Sequence, residues 1–273
     1  MQYRRSSEVG GGENMSRKPY SWLVVVGMIS LCIGLSGCGK NADTVAGSSI
    51  PIEPGEHVMY GSYQGEPVEW RVLDKKDGEI LLLSEYGLDI LPFDTSGKSR
   101  VDWKDSTIRK WLNDDFYNSA FSEKEKENIV ESKSEGFEEY NTSMNLTGGG
   151  KPYAYLEREI EDKVFLLSNT ELCAYFSEDP YPGCYSDPYA HKELLCYPTA
   201  YAKQQLETRY QTETCGWWLC NHVYEDDSVE LVSAYGQGSG TSRENIKANT
   251  KSIAVRPAMW VTWQSDMETI EEE

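Results

Sequence analysis

The first regular part of the chain is a set of three short, mostly apolar runs separated by polar turns. The runs are His57 to Tyr60, Val68 to Leu73 and Ile80 to Leu83, and the turns lie around Gln64-Gly65 and Asp77-Gly78. Short apolar runs bounded by turn residues are typical of strands, and a tight turn with glycine joins neighbouring antiparallel strands. The pattern therefore predicts an antiparallel meander. Its predicted core residues are Trp70, Val72, Leu81 and Leu83.

Helical spacing follows the meander. A stripe of apolar residues at i, i+3, i+4 and i+8 predicts a helix that starts near Asp105 or Ser106 and buries one face. Ser122 and Glu125 have the spacing of a capping box, which predicts a second, charged helix to about Glu131. The stripe consists of Ile108, Trp111, Leu112 and Phe116.

The second half of the chain contains short predicted elements separated by loops rich in Gly, Pro, Tyr and Asp. Val164 to Leu167 is strand-like, Asn169 or Thr170 caps a short helix, and Thr199 caps another helix that runs to about Tyr210. Together the elements predict a single α+β domain of mostly antiparallel strands with several short helices. The closing strands are predicted at Gly216 to Leu219, Val229 to Tyr235 and Ser252 to Trp263.

The amino-terminal end has the order of a secretory signal. Arg17 and Lys18 precede an apolar run from Trp22 to Leu35, which is shorter than the ~20 residues of a membrane-spanning helix. The sequence Leu35-Ser36-Gly37-Cys38 closely resembles a bacterial lipobox. We therefore expect Cys38 to be the first residue of the mature protein and to carry lipid on its sulfur and its amine. The alternative is an uncleaved anchor helix with an incidental cysteine, and either arrangement places the rest of the chain outside the cytoplasm.

These features divide the chain into five predicted parts. Small and polar residues follow Cys38 and predict a flexible tether ahead of the domain. Residues before Met15, a second plausible start, are not considered part of the fold. The parts are an over-extended start at 1–14, a lipoprotein signal peptide at 15–37, the tether at 38–54, a globular domain at 55–264 and an acidic tail at 265–273.

The acidic balance of the chain limits its partners. The formal net charge is −19 at pH 7, from 45 Asp and Glu against 26 Lys and Arg. Binding to phosphates requires clustered basic residues, so the composition excludes nucleic acid as a partner. It also excludes a polybasic contact with a membrane surface. Membrane attachment would then depend on acyl chains, which contribute about 0.8 kcal/mol per buried methylene.

The predicted domain contains five cysteines, an odd number that leaves at least one thiol outside any intramolecular disulfide. Cys215 and Cys220 flank a predicted strand that would separate their Cα atoms by roughly 16 Å, beyond the ~7 Å limit for a disulfide. Cys173 with either Cys184 or Cys196 is the more reasonable pair. The spacings match no zinc pattern, and the sequence lacks a nucleophile elbow, a phosphate-binding loop and a metalloprotease helix.

Several short motifs occur in a characteristic order. They are Tyr60–Tyr63, Glu69–Leu73, Leu81–Ser84, Arg109–Asn113, Phe116-Tyr117, Ala120-Phe121, Val164–Ser168, Pro198–Ala202, Gly216–Leu219 and Ala254–Ala258. In this order they resemble the domain of unknown function 6273 over roughly Gly55 to Trp263, a resemblance that implies no particular activity. The closing strands, the tryptophan pair and the arginine before the last strand also resemble the C-type-lectin-like fold. One departure is Cys220–Val223, where relatives continue with Arg-Ser-Pro-Gly; a ligand site built on that turn would be altered here.

Aromatic residues near the end of the chain are candidates for ligand binding. Trp217 and Trp218 are adjacent on a predicted strand and must point to opposite faces. An exposed tryptophan near Tyr235 would offer a stacking platform for a sugar ring or a peptide, because aromatic rings combine apolar area with a polar edge. The alternative is that both indoles are structural.

Calcium is the only cofactor that the sequence suggests. Glu225, Asp226 and Asp227, with Glu230 nearby, concentrate carboxylates in one loop, and calcium takes six to eight oxygen ligands. The alternative is a solvated acidic turn.

Three residues are expected to be structural. Arg256 lies in an apolar strand, where a charge is costly unless it is paired. We expect it to bind a carboxylate or loop carbonyls in a contact that closes the fold. Trp70 and Trp111 are expected to pack in the core on their strand and helix.

These observations favour a lipid-anchored, extracytoplasmic protein with a non-catalytic binding module for glycans or cell-surface proteins. An alternative is a hydrolase that uses the loop carboxylates of Glu178, Asp179 and Asp187, which would require two acids of separated pKa. A third hypothesis is a purely architectural surface protein.

Replacing Cys38 with Ala should abolish incorporation of radiolabelled palmitate, because the acylated sulfur would be missing. Cys32→Ala is the matched control and should leave labelling unchanged. Globomycin should slow the mobility of the wild-type and Cys32→Ala chains but not of the Cys38→Ala chain; equal labelling of the Cys38→Ala chain would contradict the expected lipidation site.

Overall fold

The computed structural model describes residues 50–98, 101–133, 160–176, 192–207, 212–222, 228–237 and 247–270, all within one unit that covers Ser48–Glu273. Cys38 and the predicted signal peptide lie outside these residues. The described residues form an α+β domain in which two mostly antiparallel sheets are joined by short helices, as predicted. Within this part of the chain, no helix has the length and apolarity to cross a bilayer. The C-type-lectin-like fold stays a prediction.

Within the described ranges, ten strands make up the two sheets. They are β1 (His57–Tyr63), β2 (Glu66–Lys76), β3 (Glu79–Ser84), β4 (Asp89–Ile90), β5 (Ile129–Val130), β6 (Trp217–His222), β7 (Val229–Val232), β8 (Ala254–Val255), β9 (Ala258–Thr262) and β10 (Glu268–Ile270). The larger sheet has the order β10-β1-β2-β3-β9-β5, and the smaller sheet has the order β4-β8-β6-β7. The pairing of β6 with β8 is parallel.

The predicted meander is confirmed as β1, β2 and β3. Val58 pairs with Trp70, and Val72 pairs with Leu82. Both turns of the meander have positive φ at their two central positions, for example 53° at Asp77 and 90° at Gly78. That conformation matches the twist of antiparallel strands and is easiest for Gly, Asn and Asp. The four predicted core residues of the meander are all buried.

The first predicted helix is also confirmed. It comprises α1 (Thr107–Trp111), a π-helical turn (Leu112–Phe116) and α2 (Tyr117–Ala120). The Ser106 hydroxyl caps it by accepting a hydrogen bond from Arg109 N at 3.3 Å, which satisfies one of the open donors of the first turn. The remaining helices are α3 (Glu123–Lys126), α4 (Asn169–Phe176) and α5 (Ala200–Gln205), and 3-10 turns lie at Trp103–Asp105 and Lys192–Leu194.

Several helix boundaries differ from the sequence prediction. The capping box of Ser122 and Glu125 is present, but α3 ends at Lys126 because the chain then supplies β5 to the sheet edge. The helix α5 ends at Gln205, since Leu206 takes an extended conformation and is buried.

The helix α4 is capped one residue earlier than predicted. Ser168 and Glu171 make a reciprocal pair, in which Ser168 N donates to the Glu171 carboxylate at 2.7 Å and Glu171 N donates to the Ser168 hydroxyl at 3.1 Å. This is the capping-box arrangement. The preceding strand-like segment, Val164 to Leu167, is buried and makes one bridge, from Phe165 to Ala258.

The closing strand predicted from Ser252 to Trp263 is two strands in different sheets. The chain leaves β8 in the smaller sheet, passes through Arg256 and Pro257, and enters β9 in the larger sheet. Proline has no N–H for a ladder hydrogen bond and is therefore found where strand pairing stops. One contiguous core packs against both sheets; its members include Trp70, Leu82, Trp217, Trp218 and Met259.

The domain extends beyond both predicted boundaries. At the amino-terminal side, Ile52 is buried in the core, and Lys75 Nζ donates to the Ile52 carbonyl at 3.1 Å. At the other side, Glu268–Ile270 form β10, whose Ile270 pairs with His57 of β1. The segment predicted as the last part of a tether and the segment predicted as a tail thus both contribute to the fold, because each adds apolar or backbone contacts to the sheet.

Replacing Ile52 with Ala should lower the free energy of unfolding by about 3 kcal/mol, because it empties a filled core position. The neighbouring Ile50 is only partly buried, and Ile50→Ala should cost about 1 kcal/mol. Urea unfolding of the two variants measures both values. Equally small losses would show that residues 50–54 are linker after all.

Candidate functional site

Two segments of the chain cross between the sheets side by side. Residues 85–88 lead from β3 to β4, and residues 256–257 lead from β8 to β9. Ser84 N donates to the Pro257 carbonyl at 2.9 Å, and Leu88 N donates to the Val255 carbonyl at 2.9 Å. The two crossings are therefore tied together at both ends. Around them lies a group of charged side chains, here called the junction cluster, made of His57, Glu69, Arg71, Glu85 and Arg256.

Arg256 is the fully buried member of the junction cluster. Its Nε donates to the Ser84 carbonyl at 2.8 Å, and its Nη2 lies 3.7 Å from Glu85 Oε2. Its Cζ lies 5.0 Å from the centroid of a Trp217 ring, a favourable cation–π distance. Nη1 and Nη2 have no hydrogen-bond partner among the described residues. The carbonyl and the carboxylate expected beside Arg256 from the sequence are those of Ser84 and Glu85.

Glu85 connects the buried arginine to the surface. Arg71 holds its carboxylate in a bidentate pair, with Nε donating to Oε2 at 2.9 Å and Nη2 donating to Oε1 at 2.9 Å. Burial favours the neutral acid, but the hydrogen bonds and charge of Arg71, with the charges of Arg256 and His57, hold the pKa of Glu85 below its ordinary value. Glu85 is thus a carboxylate that stays ionised.

His57 and Glu69 complete the junction cluster. His57 Nδ1 lies 2.6 Å from Glu69 Oε1, and His57 Nε2 lies 3.8 Å from Glu85 Oε2. The cluster therefore alternates basic and acidic groups from the buried guanidinium outwards. Such a charged network provides oriented donors and acceptors at a protein surface.

Two buried thiols lie close enough to Arg256 for its charge to affect their pKa values. Burial opposes ionisation of Cys196, but a hydrogen bond from the Cys215 thiol and the charge of Arg256 bring its pKa below the ordinary value. For Cys215, the hydrogen bond with Cys196 and then burial raise the pKa. Both cysteines are free thiols within the described part of the chain. The predicted pairing of Cys173 with Cys196 is not what the structure shows, since the neighbour of Cys196 is Cys215; Cys184 and the Cys173 side chain lie outside the described residues.

One exposed tyrosine, Tyr86, borders the junction cluster, and a second, Tyr197, lies on the segment that pairs beside it. Gly87 forms a parallel bridge with Pro198, and Gly87 N donates to the Tyr197 carbonyl at 3.0 Å. Tyr86 and Tyr197 each precede a bridge partner, so they occupy neighbouring positions on segments about 5 Å apart. Their exposed fractions are 39% and 47%. Partial burial, then the nearby carboxylates of Glu69 and Glu85, raise the pKa of Tyr86, which places this ring beside the acidic side of the cluster.

The tryptophan pair is not the exposed platform considered from the sequence. Trp217 and Trp218 point to opposite faces, but both are fully buried. Trp217 Nε1 donates to the Leu194 carbonyl at 3.1 Å, and Trp218 Nε1 donates to the Leu91 carbonyl at 2.9 Å. Both faces of β6 are therefore covered by other parts of the domain. These indoles are structural.

The other predicted site residues are distributed differently. Tyr235 is 75% exposed and follows β7, away from the residues named in the junction cluster along the sheet order. Glu230 is buried and accepts a hydrogen bond from Asn169 Nδ2 at 2.8 Å. Trp70 is buried and donates to the Tyr60 carbonyl at 2.7 Å, while Trp111 packs against the core from a partly buried position. The calcium candidates Glu225, Asp226 and Asp227 and the hydrolase candidates Glu178, Asp179 and Asp187 lie outside the described residues.

The structure brings together residues that the sequence did not single out. Glu85, Tyr86 and Tyr197 were absent from the predicted site. The meander contained one usable signal: Arg71 pairs with Leu83 in the ladder, so Glu85, two residues farther on, is its diagonal neighbour on the same face. Nothing in the sequence placed Tyr197 beside Tyr86. Among the described residues, no group of three or more His, Cys, Asp or Glu side chains is arranged to hold a metal ion.

One comparison with known proteins gives a match. The model of a family described as Domain of unknown function (DUF6273) matches residues 77–263, which include both crossings and the two exposed tyrosines. No curated protein and no solved structure matches the chain.

Replacing Glu85 with Gln should lower the free energy of unfolding by about 3 kcal/mol at neutral pH, because the buried Arg256 charge would lose its carboxylate. Glu53→Gln is the matched control. Glu53 also pairs with a cation, Lys75, but its side chain is 67% exposed, so the control should change stability by no more than about 0.5 kcal/mol.

The difference in stability between the wild type and Glu85→Gln should depend on pH. The pKa of Glu85 is lower in the folded chain than its ordinary value, so its stabilisation is present above the ordinary carboxyl pKa and is lost as the pH falls through the lowered value. Urea unfolding from neutral pH to about pH 3 should show the wild type losing its advantage over Glu85→Gln at the acidic end. A constant difference across that range would contradict the ionised pair.

Proposed function

We propose that this chain, which belongs to the DUF6273 family of domains of unknown function, is a lipid-anchored protein of the cell envelope whose domain binds a glycan without catalysis. The binding surface consists of Tyr86 and Tyr197 together with the exposed side of the junction cluster. The observation that carries the proposal is the placement of two exposed tyrosines on adjacent segments beside fixed carboxylates and a guanidinium.

The chemistry of this surface suits a sugar. The C–H faces of a pyranose ring pack on aromatic rings, and tyrosine combines a large apolar face with a polar edge. Sugar hydroxyls require oriented acceptors and donors at the rim of the contact, which Glu69, Glu85 and Arg71 supply. These three side chains are partly exposed. The hydrogen bonds between Arg71 and Glu85 and between His57 and Glu69 hold them in place before a ligand arrives, which lowers the entropic cost of binding.

The electrostatics support a binding role over hydrolysis at this surface. Hydrolysis of a glycoside requires one carboxyl group that is protonated near neutral pH, which in turn requires a raised pKa. The pKa of Glu85 is lowered instead, because Arg71 is bound to it. Glu85 is therefore suited to accepting hydrogen bonds and poorly suited to donating a proton to a leaving group.

The sequence supports the location of this module. The lipobox-like segment before Cys38 and the stretch of residues 38–49 ahead of the described domain fit a lipid anchor followed by a spacer. The acidic composition removes any second, electrostatic contact with an anionic membrane. A domain held in this way presents its surface to extracellular polymers.

Replacing either Tyr86 or Tyr197 with Ala should weaken glycan binding by about tenfold, because each change removes one stacking ring, a loss of about 1.4 kcal/mol. The measurement is an array of soluble oligosaccharides of N-acetylglucosamine, galactose and mannose, followed by calorimetry with the best binder. Circular dichroism of the variants confirms that the fold is intact, since both side chains are exposed.

Tyr235→Ala is the matched control, because it removes a more exposed tyrosine at another place in the fold. Unchanged affinity in this variant would support the Tyr86 and Tyr197 surface. If only Tyr235→Ala weakened binding, the ligand would sit at the end of β7 instead. If no oligosaccharide bound the wild-type chain, the glycan proposal would fail.

A further inference from the structure

Cys196 and Cys215 are neighbours in space although 18 residues separate them in the chain. Cys215 N donates to the Cys196 carbonyl at 2.8 Å. Because an amide nitrogen lies about 1.5 Å from its own Cα and a carbonyl oxygen about 2.4 Å from its Cα, this bond keeps the two Cα atoms within about 6.7 Å of each other. That separation lies inside the range that disulfides bridge without movement of the backbone.

The two side chains point to the same space. The Cys215 sulfur lies 3.5 Å from the Cys196 carbonyl oxygen. Each sulfur lies 3.3 Å from the position that a Cβ on Gly87 would occupy, so the sulfurs cannot be farther apart than twice that distance. Because residue 87 is glycine, the room beside both sulfurs stays open for the small rotation that a bond between them requires.

The surroundings activate one of the two sulfurs. The buried charge of Arg256 and the Cys215 thiol both favour the thiolate form of Cys196 and lower its pKa. The thiolate is the form that attacks a disulfide. Arg256 in turn has donor groups without a hydrogen-bond partner among the described residues, and a neighbouring thiolate would balance its charge.

We infer that Cys196 and Cys215 form an intramolecular disulfide when the chain meets a disulfide oxidant. Both sulfurs are buried in the folded chain, so the reaction takes place while a local opening exposes Cys196. The Cys196 thiolate then attacks a small-molecule disulfide, whose sulfur–sulfur bond breaks and releases one thiol. Cys215 then loses its proton, attacks the Cys196 sulfur of the mixed disulfide and releases the second thiol. Two cysteine thiols are oxidised, one oxidant disulfide is reduced to two thiols, and the protons of the cysteines end on the released thiols.

The disulfide would join the segment before α5 to the start of β6. Tyr197 directly follows Cys196, so the bond holds the backbone beneath one of the exposed tyrosines of the proposed binding surface. Formation of the bond in cells rests on the extracytoplasmic location in the proposed function, since disulfides persist in oxidising compartments. Formation in the purified chain does not depend on that location.

The purified full-length chain should be reduced with dithiothreitol and then exchanged into buffer that contains oxidised glutathione. The remaining thiols are alkylated, and the protein is digested with trypsin without further reduction. Mass spectrometry should detect the peptide Glu193–Lys203, which contains Cys196, linked to Tyr210–Arg243, which contains Cys215 and Cys220. The oxidised chain should also show a Tm roughly 5 °C above that of the reduced chain.

Three variants identify the two cysteines that form the disulfide. Cys215→Ser and Cys196→Ala should each abolish the linked peptides. Cys220→Ser changes a buried cysteine within β6 that is not part of the proposed bond, and it should retain them. The inference is overturned if Glu193–Lys203 remains fully alkylated in the oxidised wild type. It is also overturned if that peptide links to Val164–Lys192, which carries Cys173 and Cys184. The wild-type digest decides these outcomes even if a variant fails to fold.

An experiment in intact cells distinguishes a failure of this inference from a failure of the proposed function. Intact cells treated with N-ethylmaleimide before lysis should yield the same linked peptides. Reduced cysteines in cells, together with the linked peptides in the purified chain, would count against the extracytoplasmic location and would leave the cysteine pair supported.

Discussion

The buried charge of Arg256, at the meeting point of the two sheets, constrains how this domain assembles. Removing a guanidinium from water costs several kcal/mol unless partners replace the solvent. The partners of Arg256 come from different elements: the Ser84 carbonyl from the end of β3, the Glu85 carboxylate from the first crossing and the Trp217 ring from β6. All of them are in place only when both sheets have their correct register. Neutralising one charge is thereby coupled to the arrangement of the entire core.

The parts of the fold that depend on local patterns could be predicted from the sequence. The short apolar strands with Gly65 and Gly78 in their turns, the apolar stripe from Ile108 to Phe116 and the capping box at Ser122 are properties of short windows. The parts that depend on distant contacts could not. The strand β5 exists because Val261 offers it a partner, and the apolar run around Arg256 divides between two sheets because residues 85–88 cross beside it. A single sequence contains no signal for either partner.

The candidate site shows the same difference between what local patterns predict and what depends on distant contacts. Arg256 could be identified as a residue in need of a partner, since a charge in an apolar run is recognisable by itself. Its partners could be narrowed only to a carboxylate or a carbonyl. The tryptophans were noticed for their residue type, but burial depends on the packing of both faces of β6, which no local pattern encodes. Tyr86 and Tyr197 became neighbours through the Gly87–Pro198 bridge, and so did the thiols of Cys196 and Cys215, which flank the same glycine.

The edges of the described sheets are short. The larger sheet is bounded by β5 and β10, with two and three residues, and the smaller sheet by β4 and β7, with two and four. An edge of that length gives another chain few backbone donors and acceptors to pair with, and β10 also begins with the charged Glu268. With the proposed lipid anchor, copies of the domain would diffuse in two dimensions at high local concentration, where strand addition between molecules would lead to aggregation. Because the edge strands are short, neighbouring copies have little backbone to pair with and can remain separate molecules.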